Sequence, residues 1–209
     1  MNAAGLKLNL GCGGKVVAGW VNVDCALGAR LARIPAVGPL CRALHLFNLT
    51  WDRRIFIHDL RRPFPWRDGA ADVAYSSHLL EHLTRSEGRL FLEECRRVLK
   101  PGGLLRIVVP DLAAIVVRYA SGRLPAERFV DELGLPHRNG NGRGLRRRLA
   151  GCINYPHACM YDGPALLRVT GDVGFRASAR RYLESDIPGI EDVETEERTR
   201  GAVVIEGRR

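Results

Sequence analysis

Apolar and polar residues alternate at the start of the chain, where Leu6, Leu8 and Leu10 are separated by polar side chains. A period of two residues is typical of a strand with one buried face. Further short runs rich in β-branched residues recur along the chain. They predict seven strands, near residues 6–11, 20–24, 54–58, 72–76, 103–109, 174–183 and 201–206.

Stretches with helical periodicity separate these strands. The clearest covers residues 85–98 and ends at a Lys-Pro-Gly-Gly turn. Its apolar residues are predicted to lie near one face: Leu90, Phe91, Cys95 and Val98. Asp111 is expected to cap a further helix, and Asp162 begins another over 164–171. The alternation predicts an α/β fold, with a parallel sheet that carries helices on both faces.

Candidate chemistry appears where the first two strands end. The first strand ends in Gly11-Cys12-Gly13-Gly14, and the second ends on Asp24. Paired glycines let a ligand approach bare backbone, because a Cβ atom there would block it. An acid at the end of the next strand can accept hydrogen bonds from a ribose diol. The two features together predict a pocket for an adenosine-containing cofactor.

The spacing of the glycines distinguishes between two such cofactors. A dinucleotide fingerprint requires a third small residue that packs a helix beneath the pyrophosphate, and Val16 occupies that position here. S-adenosyl-L-methionine (SAM) has no pyrophosphate, carries a sulfonium cation and still presents a ribose diol. The pattern therefore favours SAM over NAD.

Further motifs follow in a fixed order: HDL at 58–60, YSSHLLEHL at 75–83, RVLKPGG at 97–103 and VPDL at 109–112. With LNLGCG and GWVNVD before them, the chain resembles class I SAM-dependent methyltransferases, specifically the small bacterial type 11-like family. The resemblance runs through 6–119 and resumes at 157–162. It implies a Rossmann-like, doubly wound, mostly parallel seven-stranded sheet with an antiparallel edge strand, in a single domain over 1–209.

The resemblance implies SAM as the cofactor and places its site at the carboxyl ends of the strands. The residues assigned to cofactor binding are Gly11, Cys12, Gly13, Asp24, Asp59, Leu60, Ser76 and Ser77. Asp24 matches the ribose position, and Asp59 with Leu60 matches the position beside adenine. A cap or turn role is the alternative for both acids, and packing is the alternative for Cys12.

His78 and His157 are the candidate general bases for an acceptor that must lose a proton, because histidine titrates near neutrality. For each, the alternative is a histidine that hydrogen-bonds a loop. Residues 78–82 also read His-x-x-Glu-His, the spacing of an inverted zinc-protease motif. The motif directly follows a strand in a methyltransferase frame, so we expect neither zinc hydrolysis nor a metal site.

Composition limits the class of protein and of partner. The chain has 209 residues, 46% hydrophobic and 26% charged, which is ordinary for a globular domain. It lacks an apolar run of membrane-spanning length, a secretory signal pattern and a Cys-x-x-Cys pair, so we expect a cytoplasmic protein with free thiols. Its net charge of +9 favours acidic partners such as phosphates, nucleic acid or an anionic membrane surface.

Two segments lie outside the minimal fold. Residues 26–52 are apolar and basic, and predict a helical insertion that covers the sheet or acts as a lid. Residues 137–148 form a basic loop with no aromatic residues to stack bases, so we interpret the loop as solvated rather than as a nucleic-acid contact.

The resemblance predicts a SAM-dependent methyltransferase that acts on an oxygen or nitrogen of a small-molecule or glycan-type acceptor. Surface-polysaccharide assembly is the expected setting, with a phosphate-bearing or lipid-linked acceptor and peripheral membrane contact. One alternative is an RNA methyltransferase that uses the 137–148 loop. The other is a catalytically silent SAM-binding protein.

Overall fold

A computed structural model describes residues 5–34, 51–135 and 156–209 of the chain. The strands within these ranges are β1 (Lys7–Leu10), β2 (Val21–Asp24), β3 (Phe56–Ile57), β4 (Ala71–Ser77), β5 (Leu99–Pro110), β6 (Arg176–Arg180) and β7 (Ala202–Arg208). They form one sheet in the order β3-β2-β1-β4-β5-β7-β6. All seven strands predicted from the sequence are present.

Strands β1 to β5 pair in parallel, whereas β7 pairs antiparallel with both β5 and the edge strand β6. The predicted fold class, a mostly parallel doubly wound sheet, is confirmed. Strand order reverses between β1 and β4, since β2 and β3 follow on one side and β5 follows on the other. Ligands of open α/β sheets bind beyond the carboxyl ends of the strands at such a point.

The helices of the described ranges are α1 (Leu27–Ala32), α2 (Arg85–Val98), α3 (Leu112–Ala120), α4 (Ala126–Glu132), α5 (Gly163–Asp172) and α6 (Glu196–Thr199). Two predicted caps are present. The Asp111 side chain accepts a hydrogen bond from the N–H of Ala113, and the Asp162 side chain accepts one from Ala165. Helices α4 and α6, of seven and four residues, were not predicted because they are too short for a clear periodicity.

Helix α2 connects β4 to β5 and starts with a capping box formed by Thr84 and Glu87. Its buried residues are Gly88, Phe91, Leu92, Cys95 and Val98. The prediction that Leu90 joins this face is wrong, because steps of three and four residues place Leu92 there and leave Leu90 52% exposed.

The sheet separates two apolar clusters, as the alternation of side chains along β5 shows. Leu105, Ile107 and Val109 belong to the cluster that contains buried residues of α2 and α5. Leu104 and Val108 belong to the other, which contains Trp20 and Tyr75.

A buried ionic cluster fixes the segment between β6 and β7 against the sheet. Arg106 of β5 is 0% exposed, and its guanidinium donates to Glu194 at 2.6 and 2.8 Å and to Glu206 at 3.1 Å. It also donates to the carbonyl oxygens of Arg181 and Glu184, each at 2.9 Å. The side chains of Arg106, Glu194 and Glu206 are buried, so the hydrogen bonds between them replace those lost on burial.

Three further expectations concern the chain as a whole. No helix in the described ranges is long and apolar enough to cross a lipid bilayer. Helix α1 lies within the segment 26–52, but most of that segment and all of 137–148 fall outside the described residues. The assignment of a single domain to residues 1–209 therefore stays a prediction.

Candidate functional site

The carboxyl ends of β1, β2 and β4 surround a cavity of about 290 Å³, close to the lower limit of roughly 300–1,000 Å³ for small-molecule sites. Seven of the ten residues assigned to the site from the sequence line it: Gly11, Gly13, Asp24, Asp59, Leu60, Ser77 and His78. Cys12, Ser76 and His157 do not line it. The sheet topology thus brings together residues that lie up to 67 positions apart.

The turn after β1 depends on its glycines. Gly11 and Gly13 have φ of +75° and +57°, which L side chains rarely adopt, and a Cβ on Gly11 would lie 3.0 Å from the Cβ of Leu79. Cys12 between them is 2% exposed and packs with Ala29 and Ile55. Burial, and next the nearby Asp24, raise the pKa of the Cys12 thiol to about 12. Cys12 is therefore a packing residue and not a nucleophile.

Asp24 at the end of β2 faces the cavity and closes the glycine turn. Its Oδ2 accepts a hydrogen bond from the N–H of Gly13 at 2.8 Å, and its Oδ1 accepts one from Ala26 at 2.7 Å. A carboxylate oxygen has a second lone pair, so both oxygens can accept further hydrogen bonds. The two backbone contacts fix the carboxylate in an orientation in which it can accept from a diol.

Asp59 lines the same cavity but is already engaged by Arg61. The guanidinium donates to both carboxylate oxygens at 2.9 and 2.8 Å, and this pairing lowers the pKa of Asp59 to about 2. Leu60 next to it is 5% exposed and adds an apolar wall. Contact between adenine and Asp59 stays a prediction.

The two serines at the end of β4 differ in position. Both are at most 2% exposed, and neither hydroxyl has a hydrogen-bond partner among the described residues. Ser77 lines the cavity, whereas Ser76 lies beneath it. A cofactor contact is thus geometrically open to Ser77 only.

His78 is the first residue after β4 and has a φ of +53°, a left-handed conformation that is uncommon outside glycine. Its Nε2 donates to the carbonyl oxygen of Arg198 at 2.8 Å, and its Nδ1 lies 3.2 Å from Oε1 of Glu81. The Glu81 carboxylate is the main cause that raises the pKa of His78 above its ordinary value. The strained backbone turns the imidazole towards the cavity, and its role as a base stays a prediction.

His157 lies on the far side of Glu81 from His78. The N–H groups of Ala158 and Cys159 both donate to the carbonyl oxygen of Glu81, at 2.7 and 3.0 Å. These bonds hold the His157 ring 5.0 Å from that of His82, between ring centroids. Burial lowers the pKa of His157.

Comparison with known families agrees with the predicted class of protein. Residues 8–107 match the model of a family described as a methyltransferase domain. Over this range the predicted resemblance to methyltransferases is confirmed. The match agrees with SAM, the cofactor that the sequence predicts. The matched range contains the glycine turn, Asp24, Asp59 and His78, but ends before His157 and Arg198.

Solved methyltransferase structures share the fold. One, a SAM-dependent methyltransferase from Methanosarcina mazei, is 15% identical, with a TM-score of 0.53 over 98% of this chain and 92% of that chain. Another is 1,6-didemethyltoxoflavin-N1-methyltransferase from Burkholderia thailandensis, with bound S-adenosylhomocysteine. It is 14% identical, with a TM-score of 0.50 over 98% of this chain and 71% of that chain. No curated protein matches the sequence.

Arg198 of α6 is a residue of the methyltransferase cavity that the sequence did not reveal. Its guanidinium reaches the glycine turn, since a Cβ on Gly13 would lie 3.6 Å from Nη2. No carboxylate of the described residues forms an ion pair with it. The segment around Arg198 carries no motif, and only the tertiary fold brings it to Ser77, 121 positions earlier.

A second, larger cavity of about 570 Å³ lies between α2 and α5 of the methyltransferase. Arg85, Arg89 and Arg168 line it, together with Tyr161, whose pKa is raised to about 12 by burial. Arg89 pairs with Glu93 at 2.9 Å, but the other two arginines have no ion-pair partner among the described residues. Asp172 also lines the cavity, but three arginines outnumber this one acid and the glycine turn is missing, so the lining suits an anionic group and not the cofactor.

Proposed function

We propose that the chain transfers a methyl group from SAM to an oxygen or nitrogen of a small-molecule or glycan-type acceptor. The observation that carries the proposal is the cavity at the carboxyl ends of β1, β2 and β4, where a glycine turn, an oriented carboxylate and a cation face one another. Bound SAM supplies an electrophilic methyl group on its sulfonium sulfur.

The residues of the cavity fit the parts of this cofactor. Asp24 is placed to accept from the ribose hydroxyls, because two backbone N–H groups already fix its carboxylate. The positive-φ backbone at Gly11 and Gly13 leaves room for the amino-acid end of SAM. Arg198, next to this turn, is a cation suited to the carboxylate at that end.

His78 and Ser77 mark the side of the cavity at which the acceptor is expected. Methyl transfer is an in-line displacement, so the acceptor must be held in line with the sulfur–carbon bond that breaks. Nε2 of the His78 imidazole donates to the carbonyl oxygen of Arg198 and Nδ1 lies beside the Glu81 carboxylate, which gives the ring one orientation towards the cavity. We assign to His78 the role of holding the acceptor beside the methyl group of SAM.

The arginine-lined cavity between α2 and α5 supports an acceptor that carries a phosphate or another acidic group. Arg85 and Arg168 there have no carboxylate partner among the described residues, so both are available to an anion. The net charge of +9 acts in the same direction.

Labelled SAM tests this function directly. The purified chain is incubated with methyl-labelled SAM and with fractionated extract of the source cell, and Asp24→Ala serves as the binding-deficient control. Label in the small-molecule or glycan fraction, above the level of the control, is the expected result. Ribonuclease-sensitive label would instead indicate an RNA methyltransferase. SAM binding without label in any fraction would indicate a silent SAM-binding protein.

A further inference from the structure

The carboxylate of Glu81 is buried without the hydrogen bonds that a buried charge requires. Glu81 is 1% exposed, and neither of its oxygens has a hydrogen-bond partner of acceptable geometry among the described residues. The nearest basic group is the imidazole of His78, whose Nδ1 lies 3.2 Å from Oε1. A buried carboxylate in this state is costly unless a cation or a metal ion completes its surroundings.

Two further histidines face the same point. One nitrogen of His82, one of His157 and one oxygen of Glu81 all lie within 4.8 Å of one another. Nδ1 of His157 is also buried without a partner among the described residues. Unsatisfied groups of two different side chains thus meet in one place, which points to a missing ligand rather than to a local defect.

The backbone builds this cluster from distant parts of the chain. Glu81 and His82 belong to a short 3₁₀ turn over Leu80–His82, and the carbonyl oxygen of Glu81 receives the N–H groups of both Ala158 and Cys159. The N–H of His157 in turn donates to the carbonyl oxygen of Gly134 at 3.1 Å. A Cβ on Gly134 would lie 2.3 Å from the His157 ring, so glycine there lets the backbone support the imidazole.

The tautomer of His82 suits a ligand. Its Nδ1 lies 3.3 Å from the carbonyl oxygen of Pro156, which can only accept, so Nδ1 carries the proton. In this tautomer Nε2 carries the lone pair that a metal ion would require. Histidines that bind metals usually donate their other N–H to a carbonyl or carboxylate in this way.

We propose that Glu81, His82 and His157 form a binding site for a divalent transition-metal ion beside the cofactor cavity. Two imidazoles and one carboxylate are donors that suit Zn²⁺, Fe²⁺ or Co²⁺, whereas Mg²⁺ and Ca²⁺ prefer oxygen ligands. In a tetrahedral site the ligand atoms lie roughly 3.3 Å apart. The three ligand atoms lie within 4.8 Å of one another, so the side chains would have to draw together around a bound ion.

This site differs from the one that the His-x-x-Glu-His spacing suggests. That motif would place its two histidines on one helical face. Here His78 lies at the end of the strand, before the 3₁₀ turn. The third ligand of the proposed site is therefore His157 and not His78. The proposal departs from the expectation of no metal site and uses a different ligand set. His82 also lines the cofactor cavity, so an ion bound there would be next to it and would keep positions open for an oxygen ligand.

Titration of the untagged, metal-free protein with Co²⁺ tests the proposal, with bound Co²⁺ followed by its visible absorption and by calorimetry. We expect one equivalent to bind. Glu81→Gln and His157→Asn are each expected to weaken binding at least about 10-fold, because each removes a ligand. His58→Asn, in a histidine whose ring packs on Phe64, is the matched control and should bind Co²⁺ as the native chain does.

SAM binding by the same metal-free samples separates misfolding and failure of the proposed function from failure of this inference. His157 does not line the cofactor cavity, so His157→Asn should bind SAM within about twofold of the native chain while losing Co²⁺ affinity. Absence of Co²⁺ binding by a native chain that binds SAM would overturn the metal site. Co²⁺ binding that both variants retain would overturn it as well.

Discussion

The carboxylates of Glu194 and Glu206 and that of Glu81 are all buried, yet their surroundings differ. The first two share the guanidinium of Arg106, and backbone N–H groups of Leu183 and Asp186 donate to them at 2.8 Å. The carboxylate of Glu81 has one histidine nearby and no hydrogen bond of acceptable geometry among the described residues. Burying a carboxylate is costly in either region, but among the described residues only the first region compensates for it.

This difference distinguishes a structural ion cluster, around Arg106, from regions that are expected to bind a ligand. The Arg106 cluster ties β5 to the segment before β7, and its guanidinium is fully buried. Around the cofactor cavity, by contrast, Arg198 has no ion-pair partner among the described residues and the hydroxyl of Ser77 has no hydrogen-bond partner. These two polar groups lie where a ligand is expected to supply their partners.

The largest effect is expected in the satisfied region. Arg106→Met should lower the free energy of unfolding by about 3–5 kcal/mol, because Glu194 and Glu206 would stay buried without a cation. Urea denaturation followed by circular dichroism measures this loss. Arg89→Met, which breaks one exposed ion pair with Glu93, is the control and should lose less than about 1 kcal/mol. Equal losses in the two variants would contradict the structural role of Arg106.

Asp24→Ala should weaken the binding of SAM. We expect SAM affinity to fall by about 1–3 kcal/mol, because hydrogen bonds to a charged group are lost. Calorimetric titration measures it, and Asp24→Asn, which keeps one acceptor oxygen, should lose less. Asp72→Ala, in an acid that pairs with Lys100 away from the cavity, is the control and should bind normally. Unchanged affinity of a folded Asp24→Ala would remove the ribose assignment.

Arg198→Gln is expected to weaken SAM binding by about 1 kcal/mol, since the guanidinium is partly solvated and its attraction to a carboxylate is screened. The loss should shrink as salt is added, which calorimetry at two ionic strengths detects. Arg200→Gln, two positions along and paired with Glu196, is the matched control. Equal affinities for the two variants would show that Arg198 does not contact the cofactor.

The smallest effect is expected for the stability of metal-free Glu81→Gln. Its free energy of unfolding at pH 8 should change by less than about 1 kcal/mol, because the substitution removes a charge with no hydrogen-bond partner. Glu194→Gln neutralises an equally buried carboxylate but breaks its pairing with Arg106, so it should lose clearly more. Similar losses in the two variants would mean that Glu81 is satisfied within the fold.

The site residues that the sequence predicts are those at the ends of strands or directly after them. Gly11 and His78 come directly after a strand of the parallel sheet and Asp24 ends one, so alternation along the chain is enough to place them at one edge. The same local patterns predict all seven strands and the caps at Asp111 and Asp162. Local sequence carries this information because strands and caps depend on neighbouring residues.

The parts that escaped prediction depend on long-range contacts. Arg198 reaches Ser77 across 121 positions, and His82 reaches Pro156, beside His157, across 74. Which of Ser76 and Ser77 lines the cavity depends on the pleat of β4 at its end. Leu90 was misplaced because apolar character alone does not show which side of a helix a residue occupies.

A crystal structure of the chain with S-adenosylhomocysteine tests most directly the claim that the unsatisfied region is the cofactor site. We predict that the ribose hydroxyls lie within hydrogen-bond distance of the Asp24 carboxylate, and that the amino-acid end lies beside Gly11, Gly13 and Arg198. Binding in the arginine-lined cavity between α2 and α5, or a ribose away from Asp24, would contradict the account.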